Sequence, residues 1–127
     1  MPNSKSFLKL NDIDAYKTSF HLSNFVWNIV IRWDWFAKRT IGSQFVNSTD
    51  SISANIAEGF GRYTKKDKVR FYIISKGSLK ETFDWNEKAK IRGLINEEQY
   101  NHILKELTSL PKDLNQLINF TNNKLKY

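Results

Sequence analysis

Cysteine is absent from the 127-residue chain. Disulfides, thiolate nucleophiles and zinc–sulfur sites are therefore excluded, and a reducing compartment such as the cytoplasm suits the composition. Proline occurs twice and glycine five times. An all-β chain needs turn residues every eight to twelve positions, so this scarcity points instead to a few long helices. Only two histidines are present, His21 and His102; no H-x-x-H, H-E-x-x-H or E-x-x-H pattern occurs, although Glu98 and His102 stand at i,i+4. No uninterrupted apolar run is long enough to span a membrane, and the opening "MPNSKSFLKLNDID" has no apolar stretch of signal-peptide length.

Hydrophobic residues make up 40% of the chain, enough for one core and a single domain over residues 1–127. The formal net charge is +7. Residues 62–92 hold ten basic and four acidic side chains, a difference of +6, so nearly all the excess lies there. A surface of that kind attracts polyanions, chiefly nucleic acid. It is equally the composition of a solvated helix face.

Four amphipathic segments are legible. The first runs from about Asp12 to Ile31 behind a possible cap at Asn11, with Ile13, Tyr16, Phe20, Trp27 and Val30 on one stripe. Ala15, Leu22, Val26 and Ile29 widen it. Asp34 caps the second, whose stripe is Ile41, Phe45, Ile52, Ile56 and Phe60. Gly42 and "NSTDS" are poor helix formers, so packing must hold that helix together. Gly59 and Gly61 end it, and Thr64 with Asp67 opens a third helix from about Lys65 to Ile91. Apolar residues on two sides of the third helix imply two buried surfaces. Gly93 ends it, and Asn96 with Gln99 caps the fourth, which carries Tyr100, Ile103, Leu107, Leu110, Leu114, Leu117 and Phe120. Pro111 interrupts this pattern and predicts a kink or break near Thr108–Ser109. Long helices with short connections form an all-α, antiparallel up-down-up-down four-helix bundle.

The run "SISANIAEGFGR", residues 51–62, places an amide, a carboxylate and a guanidinium within two turns. It is not a phosphate loop, because its glycines follow a helix and the remaining motif positions are missing. Glu58 and Glu81 are the only attractive acid–base pair. In a hairpin they stand roughly 15 Å apart along the axis at about 1.5 Å per residue, too far to share a proton within one subunit. No set of nucleophile, base and oxyanion donors is present, so no catalytic residue is assigned and the chain is not expected to be an enzyme. The better reading is a structural polar joint of Asn55, Glu58, Arg62, Gly77, Ser78 and Glu81. Glu58 and Arg62 stand at the favourable i,i+4 spacing, and Gly77–Ser78 leaves a flat spot for a neighbouring helix.

"SISANIAEGFGR" followed by "RFYIISKGSLKE" resembles the four-helix-bundle family linked to intervening sequences in bacterial 23S ribosomal RNA genes, the S23 ribosomal protein family. Accessory proteins of diversity-generating retroelements are its relatives. The family pattern falls on Ser51, Ile52, Asn55, Ile56, Ala57, Glu58, Gly59, Gly61 and Arg62, then on Phe71, Gly77, Ser78, Leu79 and Glu81. "IGSQFV" and "GLINEEQY" also look like family positions, so the resemblance covers about residues 10–120. It implies a homo-oligomeric ring, commonly a pentamer; the residues themselves give no expectation of a cofactor or metal. In the retroelement relatives a basic surface binds nucleic acid and a reverse transcriptase. The first connection departs from the pattern: "WDWFAKR" stands where the family often has a longer segment with proline and charges.

Two functions follow as expectations. One is non-catalytic binding of structured RNA or DNA, with Arg62, Lys65, Lys66, Lys68 and Arg70 touching phosphates. The other is an oligomeric scaffold that docks a protein partner without nucleic acid.

Overall fold

The computed structural model describes residues 9–126. The expectation placed on the opening segment falls mostly on residues 1–8 and so lies outside the described part. Every regular element among the described residues is helical. After a 3₁₀ turn at Leu10–Asp12, helix α1 runs Asp14–Val30. Helix α2 is composite: an α-turn Trp35–Ala37, a π-helical turn Lys38–Gly42, and an α-helix Ser43–Gly61. Helix α3 spans Lys65–Ile91 and α4 spans Glu97–Lys124. α1 packs on α2 and α4, and α3 packs on α2 and α4, which closes the square of an antiparallel four-helix bundle.

Three helix starts follow local chemistry. Asp34 accepts from the Ala37 N–H at 3.0 Å, and Thr64 accepts from the Asp67 N–H at 3.1 Å. Asn96 and Gln99 form a reciprocal capping box, at 2.7 and 2.9 Å. The first start differs from expectation. Asn11 lies inside the 3₁₀ turn, and Ile13 occupies the cap position without a side-chain bond. Asp12 closes the earlier turn instead, accepting from the Lys9 N–H at 3.0 Å.

The core faces are also set by packing. On α1 the buried positions are Ala15, Ser19, Leu22, Val26, Ile29 and Val30, with Ser23 beside them, while Phe20 and Trp27 are exposed. The aromatics of the expected stripe thus sit off its centre, and the smaller residues that widen it form the true core line. On α4 Ile103, Leu107, Leu110, Leu114 and Leu117 are buried as expected, but Thr121 takes the last core position and Phe120 points outward. Pro111 does not break α4, which is helical from Glu97 to Lys124. Just before the proline the Thr108 hydroxyl donates to the Leu104 carbonyl at 2.6 Å and the Ser109 hydroxyl to the Glu106 carbonyl at 2.8 Å, so both polar groups are satisfied within the helix. α3 closes through Gly93, the one described residue with left-handed backbone (φ 72°).

Candidate nucleic-acid interface and the seam behind it

The contact between α2 and α3 is the most extensive in the bundle, and its centre is polar. The Ser75 hydroxyl donates to the Ile52 carbonyl at 2.8 Å. The Thr82 hydroxyl lies 2.8 Å from the Ser78 carbonyl and 3.0 Å from the Ser48 hydroxyl. Ser78 meets the Ser51 hydroxyl at 3.0 Å, and the Asn55 amide reaches both the Ser51 carbonyl (2.8 Å) and its hydroxyl (2.9 Å). Small side chains at near-helical spacing on both helices let the backbones approach. Each buried hydroxyl finds an acceptor, which avoids the roughly 1–3 kcal/mol cost of an unpaired buried polar group. This explains how the "NSTDS" stretch remains helical despite its propensity.

The six residues read as one polar joint separate into three groups. Asn55 and Ser78 belong to the seam. Glu58 and Arg62 form an ion pair at 2.7 Å, with 40% and 50% of the Arg62 and Glu58 side chains exposed, and no bond links them to Asn55. Glu81 accepts from the Trp85 indole on its own helix at 3.0 Å, and a side chain added at Gly77 would meet open space. Glu58 and Glu81 therefore engage different partners. Ser48, Ser75 and Thr82 join the seam without having been singled out. Their recurrence every three to four positions along each helix was the available signal.

Gly59 does not terminate α2. It sits in the last turn, buried, where a Cβ would lie 2.7 Å from the Tyr72 ring. Tyr72 is itself buried, and burial pushes its hydroxyl pKa up to about 12, against a smaller lowering by a bond with Thr121. The helix ends at Gly61, and Arg62 leaves in an extended conformation.

The five cations of the turn have unequal freedom. The Lys68 ammonium donates to the Phe60 carbonyl at 2.7 Å and lies over the Phe60 ring, so it caps the end of α2. Burial moves its pKa downward. Lys65 donates to the Asn122 carbonyl at 3.0 Å, capping the last turn of α4. Arg62 and Arg70 lie against the same ring, Phe71, at 4.6 and 4.5 Å. Arg70 also approaches Asp67 at 3.6 Å. Lys66 and Arg70 are exposed, and Arg62 is partly so. Continuing along the outer face of α3, Ile73, Gly77 and Lys80 follow Lys66 and Arg70 at spacings of three or four, all exposed. The sequence did not single out Lys80 as a site residue, although it lies on the same stripe.

Of the two histidines, His21 stands edge-on to Phe20 and His102 lies against Phe25 at 4.2 Å. Among the described residues no cluster of three metal-ligating side chains occurs, and no helix is long and apolar enough to cross a membrane.

The sequence pattern of the 23S rRNA-intervening sequence proteins matches residues 11–116, most of the chain. A crystal structure of a protein of unknown function from the S23 ribosomal protein family of Bacteroides thetaiotaomicron superposes with a TM-score of 0.73 at 24% identity, covering 82% of this chain and 97% of that one. That likeness shows a shared fold. Among curated proteins none matches the chain.

Proposed function

The chain belongs to the 23S rRNA-intervening sequence protein family, and from that premise we propose that it is a non-catalytic, homo-oligomeric helical bundle that binds structured RNA or DNA through phosphate contacts. The observation that carries the reading is the exposed stripe of α3. It presents Lys66, Arg70 and Lys80 on one line with Arg62 at its foot, while Lys65 and Lys68 hold helix ends. Cations on a straight, rigid helix match the regular phosphates of a duplex and carry little base information.

Roughly three or four phosphate contacts predict a loss of about 40- to 150-fold in affinity between about 50 and 200 mM salt. Electrophoretic mobility shift with a structured RNA at the two salt concentrations tests this. Lys66→Glu with Arg70→Glu should remove most binding at low salt while leaving the melting temperature near that of the parent. Unchanged affinity in that variant, or no shifted band at low salt, would rule the reading out.

A specific observation favours assembly. Ile74 is 42% exposed and stands with the half-buried Phe71 and Trp85 on a side of α3 adjacent to the line of Lys66, Arg70 and Lys80. A second copy covering that face accounts for the two-sided character of α3, and the five-membered ring implied by the family resemblance is the proposed stoichiometry. The same face serves the scaffold reading, in which the oligomer docks a protein such as a reverse transcriptase. Solution mass by light scattering, with Ile74→Asp lowering it to one subunit, tests assembly. A protein partner that survives nuclease treatment would favour the scaffold.

A further inference from the structure

We propose that the end of the bundle opposite the basic turn captures an unpaired nucleotide by stacking and edge recognition. The inference rests on the nucleic-acid reading for its choice of ligand, but it concerns a different site. α3 is 27 residues long, so the two ends are separated by about 40 Å at about 1.5 Å per residue.

A groove of about 800 Å³ opens between the end of α1, the connection to α2 and the start of α4. That volume falls within the roughly 300–1,000 Å³ typical of small-ligand sites. Its wall includes the Phe25–His102 pair, with ring centroids 4.2 Å apart and planes tilted by 40°. Trp33 lines it as well, and the Trp33 indole N–H is shielded from water with no acceptor. Aromatic side chains in the wall suit a nucleobase, because every base offers a π-face to an exposed ring.

The polar groups around these walls are sorted by chemistry. The capping box turns the Asn96 and Gln99 side-chain oxygens toward backbone N–H groups, so the amide nitrogens are the parts left for a ligand. Glu98 supplies the one carboxylate of the lining, which can accept from a base amino or imino group or from a ribose hydroxyl. Arg32 has no ion-pair partner among the described residues, which leaves its guanidinium at the groove wall available to a phosphate. Beyond it, Trp35 and Phe36 are each 69% exposed, with the Arg39 guanidinium over the Trp35 ring at 5.1 Å. A strand leaving the groove would meet aromatic faces next to positive charge, the usual surface for single-stranded nucleic acid. A second copy of the chain fits this end less well, since a face-to-face contact would bring Arg32, Lys38 and Arg39 of both copies together.

The ligand chemistry could come from a flipped or single-stranded residue of a polynucleotide or from a free mononucleotide. Three probes separate these sources: a short single-stranded RNA of mixed sequence, adenosine 5′-monophosphate, and inorganic phosphate, each followed by tryptophan fluorescence. A base-paired RNA hairpin serves as the duplex reference. Arg32→Gln and His102→Ala, both at exposed side chains, should each weaken adenosine monophosphate at least fivefold, weaken single-stranded RNA equally where it displaces the nucleotide, and leave the hairpin unchanged. Displacement of adenosine monophosphate by the RNA identifies a strand residue as the ligand. Mononucleotide binding without displacement identifies a free nucleotide, and supports the site equally. Equal losses for hairpin and single strand, no loss in either variant, or phosphate competing as well as the nucleotide would overturn the proposal. Lys66→Glu/Arg70→Glu should do the opposite, weakening the hairpin most. If that variant leaves hairpin binding intact while Arg32→Gln still weakens the single strand, the basic stripe fails and the groove stands.

Discussion

Gly59→Ala should destabilise the protein, although glycine-to-alanine changes in helices usually help. A methyl at this position lies 2.7 Å from Cε1 and 2.9 Å from Cδ1 of Tyr72, and 3.0 Å from the Lys68 carbonyl oxygen. The ring cannot swing away, because Tyr72 is only 1% exposed and its hydroxyl is buried beside Thr121. The helices must therefore separate locally or the ring must leave its rotamer. Overpacking of this kind costs about 1–3 kcal/mol. Higher helix propensity offsets at most about 1 kcal/mol, and less in the final turn. The net loss should be about 1–2 kcal/mol, a fall of several degrees in melting temperature for a domain of this size.

Gly77→Ala is the matched control. Nothing lies within 4 Å of the added methyl, and the residue is in the middle of α3. The same chemical change should there stabilise by about 0.5–1 kcal/mol. Urea unfolding of the two variants beside the parent measures both, with equal m-values as the sign that only stability has changed. Adding Tyr72→Leu to Gly59→Ala should give less than the sum of the single losses, since the clash disappears with the ring. A Gly59→Ala midpoint at or above the parent's, or strict additivity with Tyr72→Leu, would refute the close-approach argument.

Tyr72→Phe tests the buried hydroxyl through pH. Its folded pKa of about 12 lies above the ordinary tyrosine value of 10.0 that holds in the unfolded chain. The native state therefore holds its proton where the unfolded chain releases it. Stability is full below about pH 10 and falls as pH rises toward 12, by up to about 2–3 kcal/mol. The Phe variant should show a shallower alkaline decline in chemical denaturation, and an identical decline would count against the assignment. Asn86 is fully buried, its Oδ1 has no partner, and its amide reaches the Tyr100 carbonyl only at 3.4 Å. Asn86→Leu should be neutral or stabilising by about 1 kcal/mol, read as the urea midpoint. Glu58→Gln should change stability by less than about 1 kcal/mol because the pair with Arg62 is half in solvent; a thermal shift of ten degrees would mean the pair is structural after all.

What the sequence made legible was local. The caps at Asp34, Thr64 and Asn96 depend on a side chain and an N–H three residues on, so they could be read directly. The α4 core line was equally plain, since leucines and an isoleucine mark it at helical spacing. The α1 face was misplaced because aromatic residues dominate any hydrophobic count, and Phe20 and Trp27 lie off the buried line that Ala15, Ser19 and Leu22 define. Gly59 looked like a terminator because glycine after a periodic run commonly is one. Only the position of Tyr72, thirteen residues on in the chain, shows its other use. The freedom of individual lysines was hidden for the same reason. Lys65 is tied to a carbonyl 57 residues away, a fact of the bundle's closure and not of its neighbourhood in sequence.

The seam ties these observations together. α3 buries Tyr72, Ser75, Leu79, Thr82, Asn86 and Ala89, half of them polar, and exposes Ile73, Ile74 and Ile91. A helix serving only its own bundle would reverse that choice, since a fully buried isoleucine stabilises by roughly 1.5–3 kcal/mol and a satisfied hydroxyl contributes about 1. Small polar side chains instead let α3 lie close against α2, with direction fixed by the Ser75–Ile52 and Thr82–Ser48 bonds. Close docking brings the helix's bulk to the outside, where a second surface is needed. The inward face thus specifies register, and the outward face alternates apolar residues with Lys66, Arg70 and Lys80. The proposed assembly and the proposed polyanion contact draw on different lines of that face, Ile74 on one and Lys66, Arg70 and Lys80 on the other.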